Sequence, residues 1–251
     1  YNILNCFILD FTIQKFLISV FMKLFLGDVY MRIYNNIIST IIRIVFCVVL
    51  AVITGVLAQA IFYLGPVPYT MQNTGVVLSA LLLPPRYALF SQLLYLMLIA
   101  FGFPIASGFR GGLAVLLGYT GGYLAGFPIA STAMSVLSKW YLKRVGRSLA
   151  RINRKDFIIL LAFSAIASIP IYILGFIVFT GYALSNEGLL QWAEGISKTI
   201  GLTISDKFLM LFTASVAIFV PQDILMDHVV ALAMAKTISI YLESRGIDIE
   251  Q

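Results

Sequence analysis

The sequence predicts an all-α membrane protein with about six transmembrane helices. Hydrophobic residues make up 61% of its 251 residues and charged residues only 11%, and the mean hydropathy is +0.98. Soluble domains carry about 25% charged residues, so lipid must cover much of this apolar surface. Apolar stretches also recur at lengths near the roughly 20 residues that cross a bilayer as a helix.

Six apolar stretches are candidate spans. Proline and glycine separate most of them, because neither residue continues a helix well. The predicted spans are residues 37–63, 73–83, 87–103, 113–137, 157–180 and 208–236. The segment 181–207 is predicted as a polar, partly amphipathic loop.

The predicted organisation has three segments. Residues 1–36 are an N-terminal extension of unknown role, in which the stretch 7–26 fits an interfacial helix or a partial span. Residues 37–236 form the six-helix membrane domain, and residues 237–251 form a cytoplasmic C-terminal tail.

Basic residues concentrate between the fourth and fifth predicted spans. A loop rich in Lys and Arg faces the cytoplasm, which also places both termini there and the protein in the cell membrane. The net charge of +6 is therefore a topology signal and not a sign of nucleic-acid binding. The basic residues of this loop are Lys139, Lys143, Arg144, Arg147, Arg151, Arg154 and Lys155.

Neither nucleotide hydrolysis nor covalent catalysis is predicted. The sequence has no G-x-x-x-x-G-K-[ST] loop and no Ser, Cys and His arrangement typical of a nucleophile. Cys6 and Cys47 give no metal-binding spacing. We therefore expect no enzymatic activity and no cofactor.

Polar residues on the predicted outer side are candidate ligand contacts. Gln72 and Asn73 follow two prolines, and they fit either a helix cap or contacts to a polar ligand. Arg110, among glycines, fits either lipid headgroups or a ligand carboxylate held by two hydrogen bonds. The glycines around Thr120 and Tyr123 allow close helix contact or leave space for a ligand.

The sixth span contains Asp223, Asp227 and His228 beside Pro221. Ionisable groups inside a membrane are costly, so they are functional candidates that face a cavity or the bundle interior. Asp227 and His228 also fit a simple structural pair. In the first span, Ala51 and Gly55 allow close approach of another helix, either inside the bundle or from a partner subunit.

Three segments together resemble one known family. They are LGPVPYTMQNTGVVLSALLL, RYALFSQLLYLMLIAFGFPIASGFRGGLAVLLGYTGGYLAGFP and FVPQD. This joint pattern is similar to the BioY family, the biotin-binding S components of energy-coupling-factor (ECF) transporters. The resemblance is dense over about 55–136 and thinner over the sixth span.

The resemblance implies a six-transmembrane-helix S-component bundle that captures biotin from outside. It also implies partnership with an ECF transmembrane coupling subunit and ABC-type ATPases, which alone use ATP. Ala51 and Gly55 match the family motif that faces the coupling subunit. Arg110 matches the loop arginine, and Asp223 matches the aspartate of helix six.

This chain departs from the family pattern at three positions. Phe109 replaces a glycine before the loop arginine, and Tyr119 replaces a proline. Met226 replaces the lysine of the helix-six pattern P-G-D-x-x-K. The third change removes a cation that would suit a carboxylate.

The resemblance assigns a ligand to these polar residues. The ureido N–H groups of biotin would bond to Asp223, its ring and tail would lie on aromatic walls, and its carboxylate would bond to Arg110. The residues predicted to bind biotin are Arg110, Asp223, Gln72, Asn73, Thr120, Tyr123 and Tyr95.

Two other functions stay open from the residues alone. One is a stand-alone proton-coupled carrier of biotin or a related small carboxylate vitamin, which would use Asp223, Asp227 and His228. The other is an intramembrane assembly protein without a ligand.

Overall fold

The computed structural model describes residues 14–16, 18–20, 37–63, 67–201 and 206–247. The chain divides into two compact units, Tyr1–Ile44 and Val45–Gln251. In the first unit, the described residues are helical. Most of the predicted extension 1–36 lies outside the described residues, and its role stays a prediction.

The second unit is mostly helical, and its first helix begins in the first unit. Short turns connect most of its elements, and two strands follow the first helix. The helices are α1 Ile37–Leu57, α2 Gln72–Leu82, α3 Pro85–Ala100, α4 Leu113–Leu116, α5 Gly121–Val145, α6 Arg154–Ala167, α7 Ile169–Ala183, α8 Glu187–Thr199, α9 Lys207–Phe212, α10 Val220–Gln222 and α11 Val229–Ser244.

Within the described part of the chain, three helical runs are long and apolar enough to cross a membrane. They are Ile37–Leu57, Arg154–Ala183 and Lys207–Ser244. The membrane class is therefore supported by length and composition. The helices α2, with 11 residues, and α3, with 16, are shorter than the roughly 20 residues that a crossing needs. The count of six stays a prediction.

The first predicted span, 37–63, is wrong at its end, and the chain is not purely helical. After α1 ends at Leu57, strand β1 (Ile61–Tyr63) pairs antiparallel with strand β2 (Pro68–Thr70). Pro68 lacks an N–H group and restricts the backbone before it to extended conformations, which favours a short hairpin over a continued helix.

The last three predicted segments also differ in detail from the structure. The chain between α6 and α7 turns at Ser168, just before Pro170. The predicted loop 181–207 contains helix α8, which Asn186 caps by accepting a hydrogen bond from the Leu189 N–H. The last helix continues to Ser244, beyond the predicted end at residue 236.

Helix α2 lies at the centre of the second unit, and all of its residues are buried. Helices α5 and α7 approach each other closely at two glycines. A Cβ atom on Gly126 would lie 2.5 Å from Ile171 Cα, and one on Gly175 would lie 2.2 Å from Tyr123 Cδ1. Both distances are too short for a real side chain, so the small residues here serve close packing.

The basic connection between α5 and α6 is ordered around one buried carboxylate. Asp156 accepts hydrogen bonds from Arg147 Nη1 at 2.6 Å, Tyr141 Oη at 2.8 Å and the Asn153 N–H at 2.9 Å. Asn153 in turn accepts from the Asp156 N–H and completes a capping box at the start of α6.

Candidate functional site

The second unit contains a cavity that opens beside the hairpin of β1 and β2. The empty space in and around it is about 690 Å³ and includes the opening to solvent. Most of the wall is apolar or aromatic. The polar or charged residues of the wall are Thr70, Gln72, Asn73, Ser107, Arg110, Thr120, Tyr123, Tyr172 and Asp223.

Asp223 lies at the buried end of this cavity, between two helices that hold one of its oxygens. Asn73 Nδ2 donates to Asp223 Oδ2 at 2.7 Å, and Tyr172 Oη donates to the same oxygen at 2.8 Å. Asp223 Oδ1 has no hydrogen bond to another described residue. Asn73 Oδ1 is also buried without a hydrogen-bond partner among those residues. This end of the cavity therefore presents two acceptor oxygens that receive no hydrogen bond from the described part of the chain.

Two π-helical turns, Thr213–Ala217 and Asp223–His228, explain how the sixth helix orients its polar residues. A π turn closes i→i+5 hydrogen bonds, so it holds more residues than the 3.6 of an α turn. Positions four and five after Asp223 therefore return to the buried face. Asp227 and His228 are fully buried, whereas Met226, at the family's lysine position, is 52% exposed and does not line the cavity.

Gln72 lines the cavity, but Tyr95 does not. Gln72 Nε2 donates to Tyr95 Oη at 2.6 Å, and Tyr95 Oη donates to the Ile105 carbonyl at 3.2 Å. Thr70 Oγ1 donates to Gln72 Oε1 at 2.9 Å. Tyr95 is fully buried and lies behind the wall. The structure thus places it as a support for Gln72 and not as an aromatic wall.

Arg110 lies at the mouth of the cavity on a loop that Gln59 holds in place. Gln59 Nε2 donates to the Ala106 carbonyl at 3.0 Å, and its Oε1 accepts from the Phe109 N–H at 2.9 Å. Arg110 Nε donates to the Ser107 carbonyl at 2.9 Å, which leaves the two terminal nitrogens for a ligand. Phe109 has φ of 55°, a left-handed conformation that favours glycine.

Thr120 and Tyr123 line the same cavity. Tyr123 Oη donates to the Ser215 carbonyl at 2.6 Å, in the first π turn, where the widened helix leaves a carbonyl to bond. Six of the seven predicted binding residues therefore surround one space, and the exception is Tyr95.

The hairpin is attached to the sixth helix beside the cavity. The rings of Tyr69 and Phe219 stack with centroids 4.1 Å apart, and Tyr69 Oη donates to the Ile218 carbonyl at 2.9 Å. Burial and the charge of Asp223 raise the pKa of Tyr69 from its usual value, so its hydroxyl keeps the proton that it donates.

Ala51 and Gly55 pack inside the chain and do not form an exposed docking face. Ala51 is fully buried in the core, and a Cβ atom on Gly55 would lie 2.9 Å from Ile105 Cβ. The exposed face of this part of α1 carries Val52 and Val56 instead. The small side chains of Ala51 and Gly55 therefore leave room for the segment around Ile105, which precedes the Arg110 loop.

Sequence reasoning missed Tyr172 and Gln59. Tyr172 lies in a strongly apolar span, where one hydroxyl gives little signal. Gln59 lies within the first predicted span, 37–63, where the sequence predicts a continuous helix. For both residues the role depends on contacts with distant segments, which no local pattern reveals. Among the described residues, no three His, Cys, Asp or Glu side chains could together hold a metal ion.

Comparisons with known proteins show the family to which the sequence is similar. The sequence profile of the BioY family matches residues 30–243. The "Biotin transporter BioY" of Rhodobacter capsulatus is 33% identical over 181 residues, which cover 71% of this chain and 82% of that protein.

Two other relatives match over shorter segments. The "Probable biotin transporter BioY" of Pyrococcus horikoshii is 47% identical over 79 residues, covering 32% of this chain and 49% of that protein. The "Biotin transporter BioY" of Thermotoga maritima is 41% identical over 85 residues, covering 32% and 50%. The chain spans about half the length of these two relatives in the matches.

One solved structure has the same fold. It is a crystal structure of the S component for biotin from an ECF-type ABC transporter. The TM-score is 0.58 at 18% identity, and the match covers 79% of this chain and 91% of that chain.

Proposed function

Because this chain belongs to the BioY family, we propose that it is a substrate-binding membrane subunit for biotin uptake. It captures biotin from outside and delivers it inward with an ECF coupling module. It is a transport protein and not an enzyme. It needs no cofactor of its own, and the ATPase partners use ATP.

The observation that carries this proposal is the pair of free acceptors at the cavity end. The ureido ring of biotin has two N–H donors. Among the described residues, no donor is hydrogen-bonded to Asp223 Oδ1 or to the buried Asn73 Oδ1. A buried acceptor without a partner costs about 1–3 kcal/mol. A ligand that brings two N–H groups removes that cost and is favoured over one that does not.

The rest of the cavity suits the remainder of biotin. Leu124, Phe127 and Ile171 contribute apolar wall for the thioether ring and the alkyl chain. At the mouth, the two terminal nitrogens of Arg110 can bind a carboxylate through parallel hydrogen bonds. The ureido end of biotin would therefore meet hydrogen-bond acceptors, and its carboxylate end would meet hydrogen-bond donors.

A binding titration with four ligands tests this function. The purified protein should bind biotin, and should bind biotin methylated at a ureido nitrogen at least about tenfold more weakly, since one lost hydrogen bond to a charged group is worth about 1.5–3 kcal/mol. Biotin amide should bind with intermediate affinity, and riboflavin should not bind. Equal binding of biotin and its methylated analogue would contradict the assignment of the two acceptors.

The same proposal places the chain in the cell membrane with six crossings. They are provided by α1, α5, α6 with α7, and α9 to α11, together with α2 and α3, which are shorter than a full crossing. The basic connection between α5 and α6 and both termini lie in the cytoplasm, as the positive-inside rule predicts. The cavity then opens to the outside, and lipid surrounds the exposed apolar residues.

Cysteine labelling tests this orientation. In a variant without Cys6 and Cys47, a cysteine at the exposed position Lys155 should react only from the cytoplasmic side. A matched cysteine at Ser185, exposed between α7 and α8, should react from outside. Labelling of Lys155→Cys from outside in intact cells would show that the orientation is the opposite of the one proposed.

A second function is favoured by the buried Asp227 and His228. The chain would then act as a proton-coupled carrier of biotin without ATPases. Uptake that persists without the coupling module and stops when the proton gradient is dissipated would support this function over the first.

A further inference from the structure

Another cavity lies beside the basic connection between α5 and α6. The turn between α2 and α3, the end of α5 and the end of α11 bound it, and the empty space in and around it is about 1820 Å³, which includes the opening to solvent. It shares no lining residue with the ligand cavity. The proposed contacts to biotin therefore leave this cavity without a role.

The wall of this cavity carries more positive than negative charge. Its cations are Lys139, Lys143 and Arg147, from α5 and the residues after it. One carboxylate, that of Glu243 in α11, also lines the cavity. Glu243 already faces a cation outside the wall, because Arg151 Nε lies 3.6 Å from Glu243 Oε2. The cavity therefore suits an anion and not a cation.

Two of these cations have hydrogen-bond donors available to a ligand. Lys143 is exposed and makes no hydrogen bond or ion pair to the described part of the chain. Arg147 uses Nη1 to donate to Asp156 Oδ2 at 2.6 Å, and a guanidinium has five N–H groups. Lys139, in contrast, donates to the Leu81 carbonyl at 2.7 Å. Its contribution to the cavity is therefore mainly charge.

The turn that ends α5 brings a hydroxyl group to the same wall. Gly146 has φ of 65° and reverses the chain, and the Arg147 N–H donates to the Leu142 carbonyl at 3.1 Å, as in a Schellman motif. Ser148, the next residue, also lines the cavity. Its Oγ is buried and has no hydrogen-bond partner among the described residues. Such an atom is costly, so a ligand oxygen that accepts from it would remove that cost.

An exposed apolar face of α5 ends at this cavity. Val136, Trp140 and Lys143 are spaced four and three residues apart, so they share one face of the helix. Val136 and Trp140 are exposed, and in the proposed membrane placement lipid covers them. Tryptophan is common where the acyl chains meet the headgroups. Lys143, one turn further on, therefore lies at the level of the headgroups.

We propose that Lys143, Arg147 and Ser148 form a binding site for the phosphate group of an anionic phospholipid. Basic pockets between membrane helices suit such headgroups, and a guanidinium matches the geometry of phosphate oxygens. Free phosphate has the same hydrogen-bonding chemistry but no acyl chains to lie on Val136 and Trp140. The proposal rests on the membrane placement given above and not on biotin as the ligand.

A lipid titration of the purified full chain in a neutral detergent tests this site. Native mass spectrometry measures the fraction of protein that carries phosphatidylglycerol or the zwitterionic phosphatidylcholine. We expect phosphatidylglycerol to bind at least about fivefold more tightly, the equivalent of about 1 kcal/mol for one basic residue near an anionic lipid. Inorganic phosphate at the same concentration should not displace phosphatidylglycerol.

Variants assign the binding to this cavity. Lys143→Gln should weaken phosphatidylglycerol by about fivefold. Lys155→Gln removes the same charge from the same basic connection, but Lys155 is exposed and does not line the cavity, so it should have little effect. Ser148→Ala should weaken phosphatidylglycerol by about two- to tenfold, the value of one hydrogen bond. Without lipid it should keep or raise the unfolding midpoint, because it removes a buried hydroxyl that has no partner.

Three results would overturn the proposal. Equal binding of the two lipids would show that the site does not select an anionic lipid. Equal weakening by Lys143→Gln and Lys155→Gln would show a general attraction to the basic surface. Displacement of phosphatidylglycerol by inorganic phosphate would show that the cavity takes a soluble anion. The assay contains no biotin, so a failed biotin titration leaves these results standing, and a failed lipid titration leaves the proposed function standing.

Discussion

Tyr172 donates a hydrogen bond of 2.8 Å to Asp223 Oδ2, and 51 residues separate the two along the chain. Asn73 donates to the same oxygen, so the orientation of the carboxylate is set from both sides. This arrangement turns Asp223 Oδ1 into the acceptor available to a ligand.

Removing the Tyr172 hydroxyl should weaken biotin binding without removing the aromatic wall. Tyr172→Phe loses one hydrogen bond to a charged group, worth about 1.5–3 kcal/mol, so we expect a loss of about 10- to 100-fold in affinity. Calorimetric titration measures this loss. Tyr182→Phe is a matched control, because Tyr182 is on the same helix, is exposed and does not line the cavity. If Tyr172→Phe binds biotin as tightly as Tyr182→Phe does, the Tyr172 hydroxyl does not contribute to the binding site.

Arg110 should distinguish the acid from the amide of biotin. Arg110→Ala should weaken biotin by about tenfold or more and biotin amide much less, because a charge-assisted bond is lost only with the carboxylate. Arg86→Ala is the control, since Arg86 is exposed at the start of α3, away from the cavity. If Arg110→Ala weakens acid and amide equally, the carboxylate lies elsewhere.

Phe109 is expected to be a source of local strain. Its φ of 55° is costly for a residue with a Cβ atom, by about 1–2 kcal/mol. Phe109→Gly should therefore raise the thermal unfolding midpoint and leave biotin affinity equal or higher. Phe103→Gly, in the same exposed region but without a positive φ, should not stabilise the protein. A lower midpoint for Phe109→Gly would show that the phenyl ring contributes more than the strain costs.

Gly55→Leu should disturb ligand binding as well as any docking of a partner. The new side chain would meet Ile105, whose carbonyl accepts from Tyr95 behind the cavity wall. We expect a lower unfolding midpoint and weaker biotin binding in the same preparation. Val52→Leu, on the exposed face of α1, should change neither. If Gly55→Leu retains full biotin affinity and only loses the coupling subunit, the small pair faces a partner in the assembled transporter.

By itself the sequence determined the membrane class, the family and most of the polar residues that line the cavity. Composition decides the class because lipid must cover an apolar surface of this extent. Gln72, Asn73, Arg110, Thr120, Tyr123 and Asp223 stood out because polar groups and glycines are rare in apolar spans, and these six residues line one cavity.

Only the tertiary structure decided which residues touch the cavity and which support it. Tyr95 is an aromatic residue that would suit a cavity wall, but it lies behind Gln72. No local sequence pattern marks Tyr172 as a site residue, yet it donates a hydrogen bond to Asp223. The π turn at Asp223 turns Met226 outward and His228 inward, against the simple α-helical count of positions. The physical reason is that a side chain's role depends on which distant segment packs against it, and helix register and close packing at glycines set that choice.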